Sequence, residues 1–360
     1  MRKFLVVRFT SESRYSGGLQ CSDRNRESLE VIFGQEHVAT YVIEPYRHRS
    51  SIRTVLARIA DIFKGYMGGL NTHKEKEIVS IMTREQITDV FLDSSLLGLL
   101  AKKISRRFPG VRIYTFFHNL EYKFMKDYIR VNRDPLRIYW PILSFLNERA
   151  AVRYSRKIIA LNDRDSQAIK KQYGREADAL IPITFRAAPI KPGTEPTGPV
   201  REALFVGSYF YPNVEAIRWI IKHVLPHVDM RLTIVGAGME RLGAELGSDA
   251  RIAIHSNVPD LSVYFAKADF VLLPIFSGSG MKVKTAESLM NGKYLIASTE
   301  ALQGYEFDDR VAKECNTAEE FIAAIDGFDR PIKFNEPSRL LFEEKYSFEA
   351  SLKSFRNVLN

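Results

Sequence analysis

Short apolar runs alternate with longer amphipathic stretches along this chain. In the first half the runs at 4–7, 38–43, 89–92, 111–117 and 158–161 have strand length, and most are separated by segments of helical periodicity. The second half repeats the pattern at 203–206, 232–235, 251–254, 270–273 and 294–297. Such alternation of strand and helix predicts doubly wound α/β architecture, in which helices cover both faces of a parallel sheet. Between the two halves, RAAPIKPGTEPTGPVR has four prolines, two glycines and no periodicity. It is the predicted linker, over 186–200, joining a first domain at 1–185 to a second at 201–335, with closing helices over 336–360.

Length agrees with two cores, since 360 residues exceed the usual size of one. Hydrophobic residues at 45% and charged residues at 26% are those of a soluble globular chain. No apolar stretch reaches the roughly 18 residues of a membrane span, and the opening MRKFLVVRFTSESR turns polar too early for a signal peptide. Cys21 and Cys315 are too few and too far apart in sequence for a disulfide framework or a metal cluster. The cytoplasm is the expected compartment.

Charge is uneven. Residues 1–185 hold 32 Lys and Arg against 20 Asp and Glu, whereas the remainder holds 20 against 23, within a net charge of +9. Part of the excess lies at Arg47, Arg49, Arg53, Arg58 and Lys64, interleaved with Ile52, Val55, Leu56, Ile59, Ile62 and Phe63 at helical spacing. A basic amphipathic helix either packs on a core with a solvated face or lies against anionic lipid at the inner face of the cell membrane. Nucleic acid is not the expected partner, because zinc-finger spacing, RNA-binding aromatic motifs and basic low-complexity tails are lacking.

The densest chemistry lies in LLPIFSGSGMKVKTAESLMNGKYLIASTEALQGY, residues 272–305. An apolar run ends there in a Gly/Ser loop that enters a helix. Glycines admit close approach by a ligand, and the unpaired N–H groups of a helix entrance favour anions. Lys282 and Lys284 add cations, and Glu287 supplies an acceptor suited to paired sugar hydroxyls. Other turns have similar form. Tyr15-Ser16-Gly17-Gly18 precedes a helix expected near Ser22, and Gly207-Ser208 leads through Asn213 into a helix expected from Val214. Gly236 and Gly238 form a further strand-to-glycine turn, weak taken alone. His118 should emerge at a strand's carboxyl end, where ligands bind in open α/β sheets.

At Gly278, Ser279, Gly280, Lys282, Lys284 and Glu287 the chain resembles the retaining GT-B glycosyltransferases of family 4, one branch of which carries a GSG-x-[RK]-x-K-x-x-E loop. The resemblance implies a GT-B fold, two Rossmann-like domains facing a central cleft, with the last helix crossing back to the first domain. It implies transfer of a sugar from a nucleotide diphosphate sugar to a glycan or polyprenyl-diphosphate-linked acceptor, with retention, in polysaccharide or glycoconjugate synthesis. His118, Lys282 and Lys284 are then the catalytic candidates. Gly17, Gly18, Gly207, Ser208, Asn213, Gly236, His255, Val258, Ser279, Gly280, Met281 and Glu287 are the donor-binding ones. A His-Asn-x-Glu sequence, here His118 to Glu121, is frequent in the family, and the backbone after His255 meets the nucleotide base.

Neither metal nor cofactor is expected beyond the nucleotide sugar. Asp163-Arg164-Asp165 fits an Asp-x-Asp metal pattern, but Asn162 and Asp163 stand between strand and helix, where they act as caps. Two departures from the family bear on mechanism. Ser279 stands where many relatives have Glu, and the basic residues that often follow the donor domain's first strand are missing from the turn after Gly207. A GT-B epimerase, or a protein that binds nucleotide sugar or scaffolds a complex without transfer, remains open at this point.

Overall fold

Strand β1 (Phe4–Phe9) is apolar along nearly its whole length because both its faces are covered: Phe4, Leu5, Val6 and Val7 are fully buried. In the computed structural model, which describes residues 2–10, 17–45, 59–132, 137, 139–190, 200–246, 249–278, 280–328 and 333–360, it pairs in parallel with two neighbours. These are β2 (Val38–Ile43) and β3 (Asp89–Leu92), followed by β4 (Arg112–Phe117), β5 (Lys157–Ala160) and β6 (Ala179–Leu180) in the sheet order β2-β1-β3-β4-β5-β6. Phe4 stands opposite both Val38 and Asp89, which fixes the register at the sheet's centre.

The second sheet is also six-stranded and parallel. It comprises β7 (Arg201–Val206), β8 (Met230–Val235), β9 (Ile252–His255), β10 (Phe270–Leu273), β11 (Tyr294–Ala297) and β12 (Ala312–Glu314), ordered β12-β11-β10-β7-β8-β9. Both halves are therefore doubly wound, as the hydrophobic pattern predicts. β6 and β12 escape that pattern: at two and three residues they are edge strands with one buried position or none.

Contacts divide the chain into one unit of Met1–Pro182 with Ser351–Asn360 and another of Ile183–Ala350. The division falls ahead of the predicted linker because residues 183–185 are tied into the second unit. Ile183 is buried, the N–H of Phe185 donates to Tyr346 O at 3.0 Å, and that of Phe348 donates to Phe185 O at 2.8 Å. The final helix, Phe348–Leu359, joins the first unit from Ser351 onward. There Phe355 is fully buried against Phe91, and Arg2 donates to the Leu359 carbonyl at 2.6 Å. The basic segment 47–58 lies outside the described residues; of its continuation, Ile59 and Phe63 are exposed, Phe63 by 86%.

Helix ends follow local chemistry. Asn162 caps the helix Asp163–Tyr173 by accepting from the Asp165 N–H at 2.9 Å, and its own amide donates to the Asp165 carboxylate at 3.0 Å. Asp163 and Asp165 thus belong to a capped helix start. Gly174, with φ of 81°, closes that helix in the left-handed region. Two expected helix starts move. The first helix runs Gly17–Phe33, so Gly17 and Gly18 form its first turn, and the one after β7 runs Tyr211–His223, placing Asn213 inside it. Pro212 explains the earlier start, since its fixed φ suits the first turn, where its missing N–H has no partner to lose.

Candidate active site

In the second unit the strand order reverses between β7 and β10, the switch point beside which open α/β sheets bind ligands. Both strands release glycine-bearing loops there. After β7 the turn is closed by Asn213, whose Nδ2 donates to Ser208 O at 2.8 Å. After β8, Gly236 packs so tightly that a Cβ would fall 1.7 Å from the Gly207 carbonyl oxygen. Only glycine fits. Beyond β10, Gly278 and Gly280 adopt φ of 117° and 67°, turning the loop into the helix Val283–Met290 with Lys282 at its N-cap and Met281 buried. Ser279, between them, lies outside the described residues.

The two lysines part company. Lys284 reaches across to the β7 turn: its Nζ donates to Asn213 Oδ1, lies 5.0 Å from the Phe205 ring centre, and would stand 3.1 Å from a Cβ at Gly207. Lys282 turns the other way. Its Nζ pairs with Glu300 at 2.7 Å and donates to Gly280 O at 2.9 Å, and its carbonyl accepts from Tyr305 OH at 2.7 Å. Lys282 therefore braces the loop, while Lys284 adds charge beside the β7 turn.

Burial draws the Lys284 ammonium down to about 7; Glu287 opposes the fall and Lys282 adds to it. Burial also pushes the Glu287 carboxyl up to about 7, against the pull of Lys284. Two groups of opposite type thus titrate together near neutrality on one helix face, a condition that favours a site awaiting an anion. At the far end of the sheet His255, closing β9, is exposed with its ring 4.9 Å from that of Tyr264, and Val258 lies half-buried three residues on.

The first unit carries a different arrangement. His118 follows β4, as expected, and its Nε2 lies 3.1 Å from both the carbonyl and a carboxylate oxygen of Asp93, the residue after β3. Asp93 also accepts from Ser22 Oγ and, at 2.7 Å, from Asn25 Nδ2 on the helix Gly17–Phe33. Arg24, on the same helix, donates to Pro182 O at 2.8 Å and to Cys21 Sγ at 3.2 Å. Burial opposes charge on His118, yet Asp93 and Cys21 hold its pKa well above the usual histidine range. Burial likewise works against the Asp93 carboxylate, which His118, Ser22 and Asn25 hold below its ordinary value. Gly18, one residue from the helix start, is exposed, and a Cβ there would meet nothing within 4 Å.

Glu148 completes the floor of this region. Fully buried, it accepts from the backbone N–H groups of Glu121 at 2.6 Å and Tyr122 at 3.2 Å, so it caps the helix Glu121–Asn132 from a neighbouring helix. Tyr173 OH donates to it at 2.6 Å, and burial pushes its carboxyl up to about 7.

Residues 200–328 match the family described as Glycosyl transferases group 1. The fold is GT-B. A glycosyltransferase from Rickettsia africae superposes with a TM-score of 0.64 at 15% identity, over 99% of this chain and 98% of that one. HepE of Anabaena, in complex with UDP, gives 0.64 at 13% identity and 99% of both chains. The catalytic domain of starch synthase IV from Arabidopsis thaliana, bound to ADP and acarbose, gives 0.64 at 10% identity, again over 99% of each. No curated protein sequence matches the chain.

The group 1 match spans the β7 turn, Gly236, His255 and the Lys282–Lys284 loop. Of the residues expected to bind the donor, the structure gathers Gly207, Ser208, Asn213, Gly236, Gly280, Met281 and Glu287, with the catalytic candidate Lys284, around the ends of β7, β8 and β10. Three residues beside the expected ones went unforeseen. Asp93 had a signal, an acid directly after an apolar strand. Glu148 and Glu300 had none, since a Glu in or beside a helix looks solvated until the tertiary neighbour is known. Among the described residues, no group of three or more His, Cys, Asp or Glu could hold a metal ion, and no helix is long and apolar enough to cross a membrane.

Proposed function

We propose that this protein is a glycosyltransferase that takes a sugar from a nucleoside diphosphate sugar and hands it, with retention at the anomeric carbon, to a glycan or polyprenyl-diphosphate-linked acceptor. The observation that carries the proposal is Lys284, a near-neutral ammonium held against the glycine turn of β7 within the segment matched to group 1 glycosyl transferases. The complexes of HepE with UDP and with UDP-glucose, and of starch synthase IV with ADP, support a nucleotide sugar as the donor class.

In the reaction the bond between the anomeric carbon and the diphosphate oxygen breaks, and a bond to an acceptor hydroxyl oxygen forms. The hydroxyl proton passes to the departing diphosphate, and charge grows on that leaving group. Lys284 and the N–H groups at the start of the helix Val283–Met290 stabilise it electrostatically, so no bound metal is invoked. Lys282 keeps the loop in shape through Glu300 and Tyr305, Glu287 holds the ribose hydroxyls, and His118 serves the transferred sugar. A lipid-linked acceptor accords with the basic first half and with Phe63, 86% exposed at the end of the basic segment, and would keep the enzyme at the cytoplasmic membrane face.

A thermal-shift series with UDP-, GDP- and ADP-sugars tests the donor assignment, because a ligand of the native state raises its melting temperature. One nucleotide sugar should raise it by several degrees, and Lys284→Ala should abolish the rise. No shift with any of them would sink the proposal.

A further inference from the structure

Asp93 has no exposed side-chain surface, yet three donors converge on its oxygens: Ser22 Oγ, Asn25 Nδ2 at 2.7 Å and His118 Nε2 at 3.1 Å. A protonated carboxyl would have to aim its own O–H at one of these groups, so the constellation fits the carboxylate. His118 Nε2 meets only acceptors there, the Asp93 carboxylate and the Asp93 carbonyl, both at 3.1 Å, and so must carry a proton. A buried carboxylate also calls for a cation. Arg24, on the same helix as Ser22 and Asn25, donates to Pro182 O, Cys21 Sγ and Asn25 Oδ1 and lies over the rings of Phe116 and Phe355. His118 is the cationic partner in direct contact with the Asp93 carboxylate.

We propose that Asp93 is a positioning residue that holds His118 as an imidazolium with Nε2–H turned inward, so that the histidine serves glycosyl transfer as a fixed cation and donor, never as the base. The groups facing His118 come from four elements: Asp93 after β3, Phe116 from β4 with ring centres 4.8 Å apart, Cys21 on the helix Gly17–Phe33, and Glu121 on the helix that follows. Asp93, Cys21 and Glu121 all favour the charged ring when ionised; among these facing groups none is cationic. A histidine kept charged cannot take the acceptor's proton. That proton then goes to the leaving diphosphate, in line with the transfer proposed above, on which only the catalytic meaning of this inference rests.

Side-chain NMR titration of the imidazole rings decides the matter without any donor, so its failure is separable from failure of the nucleotide-sugar screen. His118→Gln assigns the resonance. In the wild type His118 should titrate above the ordinary histidine value of about 6.5, and in Asp93→Asn the midpoint should fall by about one unit or more. A wild-type midpoint at or below the ordinary value overturns the proposal, and this holds even if Asp93→Asn fails to fold. So does an unchanged midpoint in Asp93→Asn accompanied by a fall in Cys21→Ala, which would make the thiolate the counter-ion.

Discussion

The two sheets have the same number of strands and the same parallel pairing, yet their carboxyl-terminal strand ends are built on opposite principles. In the second unit the strand ends are closed by missing side chains: Gly207 and Gly236 let the backbones touch, and Lys284 is then set beside the gap. In the first unit they are filled by a satisfied polar network around a buried carboxylate, with His118 at its edge. Close backbone approach leaves room for a ligand beside the strand ends. A closed network spends its hydrogen bonds inwardly and fixes one side chain's charge and orientation. The second unit's end suits binding of an anion, and the first unit's suits holding a single polar group still.

Substitutions can break or sharpen that contrast. The largest effect should come from Gly236→Ala, whose Cβ would press on the Gly207 carbonyl at 1.7 Å; both strand ends would have to move, at about 3 kcal/mol or more. Gly18→Ala, with nothing within 4 Å, should change stability by about 0.5 kcal/mol at most. Urea unfolding of the two variants measures both, and equal effects would refute the claim that packing demands glycine at Gly236 and not at Gly18. Next in size is Lys284→Ala, expected to lower turnover about 100-fold with the fold intact, as for the loss of one aimed donor to a developing anion. Lys282→Ala should cost only about tenfold, because its ammonium is bound to Glu300; steady-state rates on the donor found by thermal shift would reveal a reversed order.

Two pH effects separate the units further. Glu148 has its pKa raised to about 7 from 4.5, so the folded first unit binds a proton that the unfolded chain has already released. Its stabilising contribution is full below pH 4.5 and is lost as pH rises through 7, on the order of 3 kcal/mol in all. Glu148→Gln should flatten the dependence in unfolding experiments between pH 5 and 8; an unaltered slope would remove Glu148 as its source. In the second unit the sign concerns binding. Lys284 is protonated below about 7, so affinity for nucleotide diphosphate should be flat below that pH and fall about tenfold per unit above it. Calorimetry with UDP across pH 6 to 9 would show this, together with proton uptake on binding.

Much of this was legible in the chain itself. The strands at 89–92, 270–273 and 294–297 coincide with their apolar runs, because a strand buried on both faces leaves a nearly unbroken hydrophobic record. The glycine turns were legible for the same local reason: a residue without a side chain marks close approach or left-handed backbone. Helix starts were less so, and Gly17 and Tyr211 both precede the expected positions because glycine and proline read as breakers although each tolerates a first turn.

By itself, then, the sequence determined the two doubly wound domains, the loop chemistry around Lys282 to Glu287 and the strand-end place of His118, all properties of neighbouring residues and their periodicity. Only the tertiary structure decided which lysine faces the β7 turn, that Asp93 meets His118, and that Glu148 caps a helix not its own. Those outcomes join residues 71, 25 and 27 positions apart. Their pairing follows from the order of strands in the sheets, and periodicity along the chain carries no record of that order.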